Sequence, residues 1–510
     1  MTTAGVAPGA ARECGVVLHV TSLPGPHGSG DFGPGAYRWI DWLAQAAQGV
    51  WQVLPLQPPG PGHSPYQSVS AFAGSPFMVA LEPLVEAGWL APFAPPAFDA
   101  ARIDHAAVLP WRMARLREAA QGWAARASAD QRAAHARWCA AEAGWLDDYA
   151  LFMALERAHA GRPWWQWPAA LARRDADALA AARVEQADEI DFWRFVQGCF
   201  ETQWRALRTH ARTRGVAILG DLPIFVAHHS ADCWARPDLY FLDADFQPTV
   251  VAGVPPDFFS AEGQRWGNPL YRWDRMAADG QRWWIARVAR ALAQADRFRI
   301  DHFRGFAAYW EVPADCPTAI GGRWVEGPGQ ALFDTLEAAL GALPIVAEDL
   351  GVVTPDVEAL RDACGYPGMR VLQFAFGETA DHPFLPHRYV PNTVVYTGTH
   401  DNDTSLGWWQ AAGARERALV GAYLGADSAE PIGRRLIRLA CQSVARLAMA
   451  PLQDVLGLDG RHRLNTPGSM GGDNWCWRVE AAQLEPAAAA WLAGVAAATD
   501  RAPFERLQLP

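Results

Sequence analysis

The sequence predicts an α/β chain folded as a (β/α)8 TIM barrel, with mostly helical and loop-rich insertions around the C-terminal face of the barrel. Three observations carry this. Eight short apolar runs recur along the chain, most of them separated by helix-patterned segments. Four of the runs end in a carboxylate, at Asp221, Asp301, Glu348 and Asp401, and strand ends are where such a barrel collects its reactive groups. The competing fold, an open doubly wound sheet, would carry a G-x-G-x-x-G turn directly after its first strand; the turn after Val20, Thr21-Ser22-Leu23-Pro24, lacks it, and the same spacing at Gly28–Gly33 comes only eight residues beyond the strand.

The elements follow in order. Gly15–Val20 is a short apolar strand, followed by a Gly- and Pro-rich loop and a helical pattern over 34–47 that opens on Pro34. Val50–Leu56 reads as a second strand, parallel to the first because a crossover joins them. Residues 1–61 thus start the barrel. Residues 62–190 read as an insertion, loop-like at first and then mainly helical, with Trp and Leu at helical spacing. Residues 191–226 resume the barrel with a long amphipathic helix and a third strand, 216–226. Residues 227–278 form a loop-rich, aromatic insertion placed over the cleft. The rest of the barrel, 279–510, supplies strands at 297–305, 343–350, 369–376, 393–399 and 450–456, with helices at 279–294, 329–341, 354–364 and between 406 and 449. Ala487–Ala498 is too short and alanine-rich to span a bilayer and reads as a packed helix.

Composition narrows the function. Net charge is −11, which disfavours nucleic acid or an anionic membrane as partner. All 44 basic residues are arginine; without lysine, a pyridoxal Schiff base, a Walker phosphate lysine and a kinase strand lysine are excluded. Eight scattered cysteines with no C-x-x-C pair suggest reduced thiols in a cytoplasmic protein. Met1–Glu13 lacks the charged and apolar regions of a signal peptide. Most of the 25 tryptophans are expected in the core.

The chemistry centres on Arg297-Phe298-Arg299-Ile300-Asp301. Strand alternation puts Arg297, Arg299 and Asp301 on one face, and a carboxylate beside an arginine favours its ionised form, the state of a carboxylate nucleophile. Glu348 ends an apolar approach, Ile345-Val346-Ala347; desolvation and neighbouring carboxylates raise its pKa and keep it a general acid. An ionised and a protonated carboxylate facing each other suit glycoside cleavage, with retention expected at a separation of about 5–5.5 Å. His400 is placed to hydrogen-bond substrate hydroxyls, and Asp401 to hold two of them. Two other readings of the four carboxylates stand beside this one: a divalent-metal site, disfavoured by the competing charge of Arg299, and arginine partners stabilising the barrel mouth. His228-His229 on a loop is weak evidence for a metal.

Six stretches carry a resemblance: His19-Val20-Thr21-Ser22-Leu23-Pro24-Gly25, Ser64-Pro65-Tyr66-Gln67-Ser68, Asp221-Leu222-Pro223-Ile224-Phe225-Val226, Arg299-Ile300-Asp301-His302-Phe303-Arg304-Gly305, Ala347-Glu348-Asp349-Leu350-Gly351 and Thr399-His400-Asp401-Asn402-Asp403-Thr404. From Cys14 onward the chain resembles the 4-alpha-glucanotransferases (amylomaltases or disproportionating enzymes) of glycoside hydrolase family 77, in the alpha-amylase superfamily. The resemblance implies Asp301 as nucleophile, Glu348 as general acid/base and Asp401 as transition-state stabiliser. It further implies Arg299 positioning Asp301, His400 binding the donor sugar and Asp221 supporting the donor-side subsite. Gly253–Pro269 is similar to the family's loop over the acceptor cleft, with Trp266 and Tyr66 as platforms for glucose rings and Asn465 as another substrate contact. No cofactor or metal is implied. The expected partners are alpha-1,4-glucans and maltooligosaccharides with glucose as acceptor, in a monomer or weak homo-oligomer. His63 and His27-Gly28-Ser29-Gly30 depart from the family pattern at peripheral positions, and the chain resembles the compact form without an extra N-terminal domain.

Overall fold

Inward and outward side chains alternate along eight parallel strands that close into a barrel. The computed structural model describes residues 12–256, 260–377, 379–425 and 429–502. The barrel strands are β1 (Glu13–Val17), β2 (Val50–Gln52), β3 (Ala217–Pro223), β4 (Arg297–Asp301), β5 (Ile345–Ala347), β6 (Gly368–Val371), β7 (Thr393–Tyr396) and β8 (Leu447–Pro451). Each pairs with its sequence neighbours, and β1 pairs with β8 to close the ring. Val17, Val50, Leu219, Val346, Met369, Val394, Tyr396 and Met449 fill the interior as one cluster. Cys14, Val16, Ile218, Phe298, Ile300, Ile345 and Ala448, at the intervening positions, join the larger core shared with the surrounding helices. Gly15 faces inward where nothing larger fits: a Cβ there would lie 2.3 Å from the Val50 carbonyl oxygen.

Helices Pro34–Gln45, Ala187–Thr213, Arg282–Gln294, Gly329–Leu340 and Pro355–Ala363 return the chain between successive strands. The return from β6 to β7 contains two 3₁₀ turns, Leu372–Phe374 and Pro386–Arg388, and no α-helix among the described residues. Pro486–Ala498 packs against Pro34–Gln45. Within 62–190 the larger helices are His105–Arg126, Ala129–Ala141 and Ala143–Ala158. Helix Ala187–Thr213 runs without a break from that segment into the barrel crossover. Among the described residues no helix is long and apolar enough to cross a membrane, and all eight cysteines are free.

Two elements differ from the sequence reading. The eighth strand is Leu447–Pro451 rather than 450–456; Leu452–Leu456 is helical, with Pro451 as its N-cap. Apolar residues continue into the helix on either side of Gln453 and Asp454, so hydrophobicity alone does not mark the change. The excursion over the cleft contains two β-strands: Val250–Val254 and Gln264–Pro269 pair with each other, and the former also pairs with Ala308–Pro313. A fourth strand, Arg323–Glu326, completes this antiparallel sheet. Within the expected acceptor loop, Asp257-Phe258-Phe259 lies outside the described residues.

Candidate active site

Strand register builds the site from the inside of the barrel upward. Asp221 on β3 stands directly beside Arg299 on β4, and Pro223 beside Asp301. Arg299 is almost fully buried. Its Nε donates to Asp221 Oδ2 at 3.0 Å, its Nη2 lies 2.8 Å from the same oxygen, and Nη2 donates to Asp301 Oδ1 at 2.9 Å. The Tyr66 hydroxyl donates to Asp221 Oδ2 at 2.9 Å and accepts from Arg299 Nη2 at 3.1 Å. A single guanidinium therefore ties two carboxylates and a phenol together. Burial pushes Asp221 up to about 7, against the pull of Arg299. Arg299 itself, despite burial, is driven upward by Asp221, Tyr66 and Asp301.

The Asp221 side chain is wholly enclosed. It is held against Arg299 and the Tyr66 hydroxyl. Asp301 has about a third of its side chain exposed (32%) and Asp401 44%. Among the described residues no hydrogen bond falls on Asp301 Oδ2, so its Oδ1 is held and its other oxygen is available.

Glu348 follows β5 on the inward face. His302 N–H donates to its Oε2 at 2.8 Å and Leu350 N–H to its Oε1 at 2.9 Å. These bonds favour the carboxylate, but burial and the charge of Asp301 outweigh them, and Glu348 is pushed up to about 8. At neutral pH it holds its proton. His302 was not recognised as a site residue from the sequence, although it lies in the quoted motif. Its contribution runs through the main chain in a left-handed conformation (φ 55°), which side-chain chemistry does not signal. Its ring is half-buried, desolvation pushes its pKa down to about 3, and it stands edge-on to Trp266 at 4.8 Å.

The loop after β7 brings His400 and Asp401 to the opposite side. Asn465 Nδ2 donates to Asp401 Oδ1 at 2.6 Å, His400 Nε2 lies 3.3 Å from the same oxygen, and Arg463 Nη2 donates to the Asp401 carbonyl at 2.5 Å. Asn465 thus meets the acid directly. His400 is stacked on Tyr66 (5.2 Å, 8°), which covers one face of the tyrosine ring. Burial lowers the pKa of His400, although Asp401 opposes the shift. Trp266, on the antiparallel sheet, is partly exposed and donates to Gln264 Oε1 at 3.2 Å.

Metal-ligand spacing occurs elsewhere, where ligand atoms of His27, Asp31 and Glu82 lie within 4.8 Å of one another. There Arg112, fully buried, donates through both Nη atoms to Asp31 Oδ2 at 3.1 Å. A fixed guanidinium charge already occupies the role of a cation, and the cluster is structural.

Comparison with known proteins agrees with this geometry. The profile of the 4-alpha-glucanotransferases, glycoside hydrolase family 77, matches residues 18–484. The chain is 50% identical over 498 residues to a 4-alpha-glucanotransferase of Thermus thermophilus, covering 96% of this chain and 99% of the relative. It is 47% identical over 490 residues to that of a Synechocystis strain, covering 95% and 96%. Among solved structures it is similar to the amylomaltase from Streptococcus agalactiae in complex with acarbose, with a TM-score of 0.93, 35% identity, and 96% and 100% of the two chains covered. With its sequence, its closed barrel and its strand-end carboxylates in agreement, the chain belongs to the 4-alpha-glucanotransferases of glycoside hydrolase family 77.

Proposed function

We propose that Asp301, Glu348 and Asp401 transfer a segment of an alpha-1,4-glucan to the 4-hydroxyl of another glucan or of glucose, by a retaining double displacement. The observation that carries the reading is the unequal state of two carboxyls on adjacent strand ends. Glu348 is half-buried and pushed toward its protonated form beside Asp301, while Asp301 is held through one oxygen by Arg299.

Glu348 gives its proton to the glycosidic oxygen as Asp301 Oδ2 attacks the anomeric carbon. The C–O bond to the leaving glucan breaks, and that glucan departs with the proton. The glycosyl-enzyme remains, with Glu348 now a carboxylate. Glu348 then takes the proton of an incoming 4-hydroxyl, whose oxygen displaces Asp301 and restores the original configuration. Asp401, anchored through Oδ1 by Asn465, offers its other oxygen to hydroxyls of the sugar under attack as that ring flattens. His400 binds the donor sugar from the same loop. Asp221 and Arg299 hold Tyr66 and Asp301 from behind. Tyr66 and Trp266 offer their uncovered ring surfaces to glucose rings, and the sheet that carries Trp266 favours a sugar acceptor over water.

Incubation with maltotriose, beside Asp301→Asn, tests this. The expected result is a ladder of longer maltooligosaccharides from the native protein and none from the variant. Glucose and maltose without a ladder would make the activity hydrolytic and overturn the acceptor argument.

A further inference from the structure

Asp454 is a buried carboxylate (1% exposed) on Leu452–Leu456, the short helix after β8. It faces no cleft, and its three hydrogen bonds all go to one loop. Thr397 Oγ1, one residue past β7, donates to its Oδ2 at 2.5 Å. Ser405, at the start of helix Ser405–Ala411, donates its N–H to Oδ1 at 2.6 Å and its hydroxyl to Oδ2 at 2.7 Å. The seven residues between these anchors include His400 and Asp401. Inside that path Thr399 N–H and Oγ1 both donate to Asn402 Oδ1, at 2.8 and 2.9 Å, and Gln373 Nε2 donates to the Asp403 carbonyl at 2.9 Å. One carboxylate therefore clamps the loop at entry and exit, and the smaller bonds shape its middle.

We infer that Asp454 is a positioning residue that fixes His400 and Asp401 against the sugar through Thr397 and Ser405. The inference rests on the role proposed above for Asp401. A loop that bears a transition-state contact loses rate when it shifts by an ångström, even though its own residues are intact. The clamp works through hydrogen bonds. An asparagine at 454 satisfies the same partners, accepting from the Ser405 N–H through its carbonyl and donating its amide hydrogens to the two hydroxyls, which rotate to accept. Alanine satisfies none.

The test measures kcat and KM on maltotriose for Asp454→Ala, Asp454→Asn, Asp401→Asn and the double variant Asp401→Asn/Asp454→Ala, with thermal unfolding of each. The expected results are a kcat about 100-fold lower in Asp454→Ala with KM changed less than about threefold, and recovery to within about fivefold in Asp454→Asn. In the Asp401→Asn background, Asp454→Ala should cost less than about threefold more, because the clamp acts chiefly through Asp401. Should alanine prevent folding, Thr397→Val opens the entry bond alone and should lower kcat about tenfold. The inference is overturned if Asp454→Asn is as impaired as alanine, if the full 100-fold loss persists without Asp401, or if Thr397→Val leaves kcat unchanged. Full activity in Asp401→Asn would instead remove the role of Asp401 itself.

Discussion

One strand carries two inward arginines, two residues apart, and their surroundings differ. At the bottom of the barrel Arg297 forks onto Glu13, with Nη1–Oε2 at 2.6 Å and Nη2–Oε1 at 2.7 Å. One cation meets one anion in a bidentate pair, and the bond to Glu13 raises the arginine's pKa. At the top, Arg299 meets Asp221, Asp301 and the Tyr66 hydroxyl, with the charge of Glu348 nearby. There the carboxyls outnumber the cation, and in a buried site the excess is relieved by keeping a proton. Glu348, which has two N–H donors but no cation of its own, is where that proton stays. A balanced pair closes the barrel floor, whereas an unbalanced group can carry out acid–base chemistry.

Breaking each arginine separates the two ends most sharply. Arg299→Leu leaves Asp221 and Asp301 without their partner. It should lower kcat by about 10³-fold or more and cost about 3–5 kcal/mol in unfolding experiments, the scale for a broken buried pair. Glu348→Gln should lower kcat by about 10²–10⁴-fold. Its stability carries a pH signature. The folded pKa of Glu348 lies above its ordinary value of 4.5, so its contribution is fully present below about 4.5 and is lost as pH rises toward about 8. The uncharged glutamine escapes that loss, so the melting temperature of Glu348→Gln relative to the native protein should climb between pH 4.5 and 8 and level off above. Asp221→Asn keeps the shape but removes the charge behind Arg299, and about a tenfold loss in kcat is expected from steady-state assays. Arg297→Leu should leave kcat within twofold and cost about 1 kcal/mol, since that pair is partly exposed.

Both ends of this strand were legible in the sequence because period-two alternation is strict there. Arg297, Arg299 and Asp301 share a face whatever the barrel's details, and a carboxylate at the strand end points to a site once the fold class is known. The support that the site draws from main-chain geometry was hidden. His302 holds Glu348 through its N–H, and any residue able to adopt that left-handed turn would present the same donor. Asp454 looks like an ordinary acid after an apolar strand, and only the tertiary fold reveals that its partners are Thr397 and Ser405. The antiparallel sheet was missed because Val250–Val254 and Gln264–Pro269 are short and interspersed with Gly and Pro, residues that normally mark loops. Strand β8 was misplaced by three residues at its start because Leu447–Leu456 is apolar apart from Gln453 and Asp454, with apolar residues in both the strand and the helix that follows.

The central claim is that crowding by Asp301 and burial together keep Glu348 protonated. It is tested most directly by titrating the Glu348 side-chain carboxyl by ¹³C NMR in protein labelled at glutamate, with the signal assigned by its loss in Glu348→Gln. The account predicts a midpoint near 8 in the native protein, falling in Asp301→Asn because the neighbouring negative charge is gone. A native midpoint in the ordinary carboxylate range, or one that does not move in Asp301→Asn, would contradict it.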